Sequence, residues 1–256
     1  MKKAFKSAYL ALVLLFLYAP IAVMIALSFN ASKSRAVWGG FSLTWYAQLF
    51  DSPEIMQALQ VTLTVAVLAT LVATVIGSLG AIGIHAMKSG RANALINLSY
   101  LSMTTPDIAT GVSLMLMFVF MKIPLGWGTM LMAHIAFDTP YVLFSVLPKL
   151  RQMNPSTYEA ALDLGCKPGK ALRKVILPQI MPGIVTGALL SFTMSLDDFV
   201  ISYFTSNTDQ NLSMIVYSAA RRGIEPTIYA LSTLMFLVVL ILLVVINKRS
   251  SLEDVS

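Results

Sequence analysis

Six long apolar runs alternate with shorter polar segments along the chain. They occupy residues 8–29, 61–84, 96–121, 128–148, 183–204 and 227–247. A bilayer core of ~30 Å takes about 20 helical residues to cross, so each run is long enough to span it. The pattern predicts an all-α polytopic membrane protein with six transmembrane helices. It is organised as a single transmembrane domain over residues 1–256. The first run follows Lys2, Lys3 and Lys6 and ends near a weak small-residue cleavage site at Ala26–Ser28. It outlasts the apolar region of a secretory leader, which favours a retained first span.

Charge sharpens this picture. Only 12% of the 256 residues are charged, about half the proportion in soluble domains. That argues against a soluble enzyme or nucleic-acid binder. The net charge of +6 carries topology instead. With the N-terminus in the cytoplasm, the inside segments hold Lys2, Lys3, Lys6, Lys88, Arg91, Lys149, Arg151, Lys167, Lys170, Arg173, Lys174, Lys248 and Arg249. The outside segments hold Lys33, Arg35, Lys122, Arg221 and Arg222. This is a clear positive-inside bias, and it places both termini in the cytoplasm of a multi-pass protein. Cys166 is the one cysteine, and no zinc-type spacing links it to His85 or His134. Neither a metal site nor a bound cofactor is expected.

The spans also carry packing signals. Ala69, Ala73, Gly77 and Ala81 recur every fourth residue in span two, as do Gly183, Gly187, Ser191 and Ser195 in span five. Small residues at this spacing let helices approach closely in lipid. At 100° per residue Asp198 falls on the Gly187 face of a continuous span five, turned toward other helices or a cavity. Outside the membrane, residues 30–60 carry Trp38, Phe41, Trp45, Tyr46 and Phe50 and predict a short interfacial helix near Leu43–Phe50. This segment and residues 205–226 read equally as structured connectors or as a rim for an external partner.

The longest cytoplasmic connection, 149–182, holds six of the inside basic residues. Two short helices are predicted there. One runs about Ser156–Leu164 and is stopped by Gly165. The other starts near Pro168 and ends before Pro178. On physics alone such an elbow either fits a groove on another protein or lies at the interface. Glu159-Ala160-Ala161, then Gly165 after three intervening residues, then Val175-Ile176-Leu177-Pro178 after a further nine, resembles the EAA loop of ABC importer permeases. Val175 stands where that pattern has isoleucine. Ser195-Leu196-Asp197-Asp198-Phe199, Thr105-Pro106-Asp107-Ile108 and the Trp45-Tyr46 region resemble the spermidine/putrescine branch of this MetI-like family. The resemblance implies a type I ABC importer permease fold in a bacterial inner membrane. It implies half of a translocation pathway for polyamines, completed by a second homologous permease. It also implies two cytoplasmic ATPase subunits carrying ATP and magnesium, and an external polyamine-binding protein. Glu159, Ala160, Ala161, Leu164, Gly165, Leu177 and Pro178 would then couple to the ATPase. No G-x4-G-K-[ST] phosphate loop occurs in the chain, so ATP chemistry is expected on another subunit and no catalytic residue on this one.

Four acids lie at membrane depth: Asp107, Asp138, Asp197 and Asp198. A carboxylate at the bilayer centre costs at least ~2.5–3.5 kcal/mol, and no lysine or arginine lies deep in a span. These acids therefore face water, a partner helix or a cationic substrate, and with Tyr203 they are the substrate-pathway candidates. Alternatives stand beside them. His134 is placed to satisfy Asp138 at i,i+4, and Asp107 follows Pro106 where it would cap a restarted helix. A permease for another small solute remains a rival. So does a secondary transporter or channel, although neither channel nor ion-driven carrier predicts the EAA spacing. An intramembrane hydrolase would need a nucleophile motif that Gly111-Val112-Ser113 does not complete.

Overall fold

The computed structural model describes residues 2–253, and it is built of helices. Its contacts group into two compact units, one of Met1–Gln57 with Ile215–Ser256 and the other of Ala58–Met214. Four helical stretches are long and apolar enough to cross a membrane: Tyr9–Ser28, Pro53–Ala86, Trp127–Gln152 and Pro168–Asp197. Ser89–Thr104 and Asp107–Phe120 make a fifth if the bent pair counts as one span. The sixth expected run falls in the helix Pro226–Glu253, whose side chains are described as far as Ile241.

The unit of the two chain ends contains α1 (Lys2–Ser28), α2 (Thr44–Asp51) and α12 (Pro226–Glu253), with α12 packed on both others. The most apolar window of α1 has no residue buried within this chain. The loop between α1 and α2 is organised by Asn30, only 2% exposed. Its amide donates to the carbonyls of Ser34 and Val37 at 3.3 and 2.9 Å, and its Oδ1 accepts from Ser32 N and Gly39 N at 3.2 and 2.7 Å. Trp45 Nε1 donates to the Asn30 carbonyl at 2.6 Å. The expected interfacial helix is α2, and Trp38, Phe41 and Phe50 stay exposed around it, the placement expected of residues at headgroup level.

The larger unit is arranged around α6 (Trp127–Gln152). It also holds α3 (Pro53–Ala86) from Ala58 onward, α4 (Ser89–Thr104), α5 (Asp107–Phe120) and α7 (Pro155–Asp163). Beyond these come α8 (Pro168–Ala171), α9 (Leu177–Asp197), α10 (Val200–Thr205) and the start of α11 (Leu212–Arg222). The most extensive contact is α6 on α9. Both small-residue stripes read from the sequence serve α6. A Cβ added at Gly187 would lie 2.9 Å from Val142 Cα, and one at Gly183 would lie 2.8 Å from the Ser145 carbonyl. On α3, a Cβ at Gly77 would lie 2.7 Å from Val142 Cβ and 2.9 Å from the Thr139 carbonyl. The apolar core of this face includes Ala73, Ala81, Val142, Val146, Leu150 and Ile180.

Three expected helices differ in detail. The span drawn over 96–121 is two helices, bent by 105° at Thr105–Pro106. Proline has no N–H and disfavours helical geometry in the residue before it, and Thr105 is accordingly extended at φ −71°, ψ 135°. The span drawn over 183–204 breaks at Asp198, extended at φ −64°, ψ 122°, before resuming as α10. Asp198 therefore does not continue the Gly187 face; its direction is set by the break. The helix starting at Pro168 does not stop before Pro178. It runs on into α9 through a π-helical turn at Leu172–Ile176, where Leu177 N donates to the Leu172 carbonyl. The wider turn shifts the hydrogen-bond register just before Pro178, which has no N–H to contribute.

Candidate functional site

Two regions of the larger unit gather the candidate residues. The first is the elbow of α7 and α8. Asn154 caps α7, its Oδ1 accepting Ser156 N at 3.0 Å, and Pro155 occupies the first turn, where proline is favoured. The helix closes with paired bonds, Gly165 N to the Leu162 carbonyl at 2.8 Å and Cys166 N to the Ala161 carbonyl at 3.0 Å. This is the Schellman arrangement, and its C′ residue must be left-handed. Gly165 supplies that conformation at φ +82°. Glu159, Ala160, Leu164, Gly165 and Pro178 are exposed, Leu164 to 88%. Ala161 is half-buried, and Leu177 packs against the α6–α9 core. The elbow is tied to the core at Ala171, fully buried. A cavity of about 490 Å3 lies beside it, lined among others by Ile82, Leu150, Tyr158, Glu159 and Ile176. A rigid short helix presenting small residues and a bare leucine suits insertion into a groove of another protein.

The second region lies where α5 begins, α6 passes and α9 gives way to α10. Asp107 is exposed and opens α5, directly after the 105° bend. Its carboxylate sits at the positive end of that helix, where an acid is favoured. Asp138 on α6 is fully buried, and neither of its oxygens has a hydrogen-bond partner within 3.5 Å. Asp197 is exposed at the last turn of α9. Tyr203 is 56% exposed and meets Phe204 edge-on at 5.4 Å.

The expected His134–Asp138 pair does not form. His134, 1% exposed, turns to the helix break instead. Its Nδ1 lies 2.6 Å from Ser195 Oγ, its Nε2 lies 2.9 Å from Ser202 Oγ, and the same Nε2 is 3.4 Å from Asp198 Oδ2. Asp198 is engaged throughout: Oδ2 accepts Ser202 N at 2.7 Å and Ser202 Oγ at 2.9 Å, and Oδ1 accepts Ile201 N at 3.2 Å. Asn211 Nδ2 donates to the Asp198 carbonyl at 2.9 Å and to Ser202 Oγ at 2.8 Å. The sequence signalled Ser195 through the small-residue stripe. Nothing local announced that Ser202 meets His134, or that Asn211 meets Asp198 and Ser202, because the bonds cross separate elements.

Discontinuous helices with acids at the breaks are the architecture by which membrane transporters build polar sites at depth. An exposed helical elbow adds a place for a second protein. Fold and site together define a membrane-embedded component of a solute transporter. The sequence matches the family described as binding-protein-dependent transport system inner membrane component over residues 73–249. The chain belongs to this family and is a multi-pass inner membrane permease, a membrane component that is not itself an enzyme. It is 36% identical over 240 residues to the spermidine/putrescine transport system permease protein PotC of Haemophilus influenzae, covering 93% of each chain. It is 39% identical over 229 residues to the putrescine transport system permease protein PotI of Escherichia coli, covering 86% of this chain and 81% of that one. Among solved structures, it is similar in fold to a chain of a bacterial ABC transporter that imports alginate. The TM-score is 0.74 at 17% identity, over 97% of this chain and 94% of that one. A chain of the MetNI methionine transporter follows at 0.63 and 20%, over 80% and 99%.

Proposed function

We propose that this chain is the transmembrane permease subunit of an ATP-driven importer of polyamines, forming half of the translocation pathway. The observation that carries the transport mechanism is the cytoplasmic elbow, held rigid by the Gly165 turn and exposing Leu164. The permeases of spermidine and putrescine transport at 36% and 39% identity support the substrate class. The whole chain acts as one permease domain, with residues 149–182 as its coupling loop. A second homologous permease completes the pathway. Two cytoplasmic ATPase subunits bind the ATP and magnesium, and an external binding protein delivers the polyamine. Both chain ends lie in the cytoplasm, on the side to which most of the basic residues belong.

In this reading α7 sits in a cleft of the ATPase through Glu159, Ala160, Ala161, Leu164 and Gly165. Leu177 and Pro178 join its movement to α9. ATP-driven closure then rocks the permease between outward and inward states, as alternating access requires. Asp107, Asp138 and Asp197 give a sparse negative route for the ammonium groups, with Tyr203 at its margin. A route of this kind must attract the cation and still release it.

Two measurements test the proposal. In a reconstituted complex, labelled spermidine uptake should be competed by polyamines and not by amino acids; competition by amino acids instead would refute the substrate class. Glu159→Lys or Gly165→Pro should leave the chain inserted and abolish ATP-dependent uptake while hydrolysis persists. Full transport by both variants would refute the coupling role.

A further inference from the structure

We propose that His134 and Asp198 are positioning residues of the transport cycle. In this assignment they clamp the break in the fifth span, and the Asp198 carboxylate caps α10 instead of meeting the cation. The inference rests on the transport reading above but concerns a different property of the site.

The geometry at Asp198 carries it. A carboxylate offers about four acceptor positions. Here Oδ1 takes Ile201 N, while Oδ2 takes Ser202 N, Ser202 Oγ and the approach of His134 Nε2. The side chain is 6% exposed, so little of it is open to an ammonium group. Acceptance of two N–H groups at the start of the following helix is the work of an N-cap. The backbone of the same residue is held too, by Asn211 Nδ2 on its carbonyl. Asn211 is itself anchored next to Leu212, whose N donates to Thr62 Oγ1 at 2.8 Å.

His134 closes the clamp from α6. One imidazole nitrogen engages Ser195 on α9 and the other engages Ser202 on α10, so a single ring bridges the two halves of the broken span. A neutral imidazole has one donor and one acceptor, and a serine hydroxyl can complement either. Ser202 Oγ gives its one proton to Asp198 Oδ2, so it accepts from Nε2–H and leaves Nδ1 to accept the Ser195 hydroxyl; the bridge fixes this tautomer and needs no charge on the ring. The consequence reaches the acids that remain exposed. Asp197 is the last residue of α9 at the edge of the break. On the other side, α10 lies against α5, where a Cβ on Gly111 would come within 3.0 Å of Phe204. Holding α10 thus holds the helix that begins with Asp107.

The test separates a cap from a cation ligand. Asparagine caps helices about as well as aspartate but carries no charge. In the complete transporter in proteoliposomes, Asp198→Asn should keep spermidine uptake within about threefold of wild type with KM unchanged. Asp198→Ala and His134→Ala should each lower the maximal rate at least tenfold at equal amounts of assembled complex. The Asp198→Ala/His134→Ala double variant should be no slower than either single one, because both break one clamp. The melting temperature of the complex should follow the same order, and this arm needs no substrate. Equal losses for Asp198→Asn and Asp198→Ala, or a raised KM in Asp198→Asn, would overturn the clamp. If wild-type complex fails to take up spermidine, the substrate class falls, and the melting order still decides the clamp: Asp198→Asn melting as low as Asp198→Ala overturns it.

Discussion

The three glycines of α3 isolate the contribution of close helix packing. Gly77, Gly80 and Gly83 lie on one helix but face different surroundings. A Cβ at Gly77 would lie 2.7 Å from Val142 Cβ and 2.9 Å from the Thr139 carbonyl. The carbonyl is backbone of the central helix and cannot turn aside. At Gly80 the nearest atom would be Leu143 Cδ1 at 3.7 Å, an ordinary contact, and at Gly83 nothing lies within 4 Å. Replacement by alanine raises helix propensity by about 0.8–1 kcal/mol at each position in a soluble helix. Comparison among the three variants cancels that gain and leaves packing. Inserting a methyl where there is no room costs about 1–3 kcal/mol. Gly77→Ala should therefore fall below Gly83→Ala by that amount, with Gly80→Ala close to Gly83→Ala. For a chain of this size each kcal/mol is worth roughly 2–4 °C in melting temperature. The assay is thermal unfolding of the purified complex in one detergent. Equal melting temperatures for Gly77→Ala and Gly83→Ala would refute the claim that α3 and α6 approach through that glycine.

Two further perturbations address the elbow and the loop after α1. Gly165→Ala places a Cβ on a residue at φ +82°, a conformation that costs an L residue about 1–2 kcal/mol. It should reduce ATP-driven uptake several-fold at unchanged chain levels, and Gly165→Asn should lose less; wild-type uptake in Gly165→Ala would contradict the left-handed cap. Asn30→Ala removes four side-chain hydrogen bonds from the loop after α1, and each polar group left buried and unpaired costs about 1–3 kcal/mol. Trypsin should then cut faster at Lys33 and Arg35 in the purified protein, and an unchanged cutting rate would show that Asn30 does not hold the loop.

Much of this molecule is local, and what is local was legible along the chain. Runs of apolar residues define helices because lipid leaves a backbone no other way to satisfy its hydrogen bonds. Gly165 and Pro168 punctuate the elbow because one adopts a left-handed turn and the other starts a helix. The glycine stripes announce close packing because only small residues permit it. Even the bend at Thr105–Pro106 was written in the chain, since proline forbids the regular continuation there, although hydropathy alone ran across it. The break at Asp198 was not legible. No proline marks it, and the apolar character of span five continues through it. It exists because His134 from α6 and Ser202 from α10 converge on one carboxylate, while Asn211 beyond them holds the carbonyl of the same residue. The chain alone is enough to expect a small set of acids at membrane depth. Which acid is engaged and which is exposed was decided by tertiary structure, because hydrogen bonds between residues more than sixty positions apart have no periodicity to betray them.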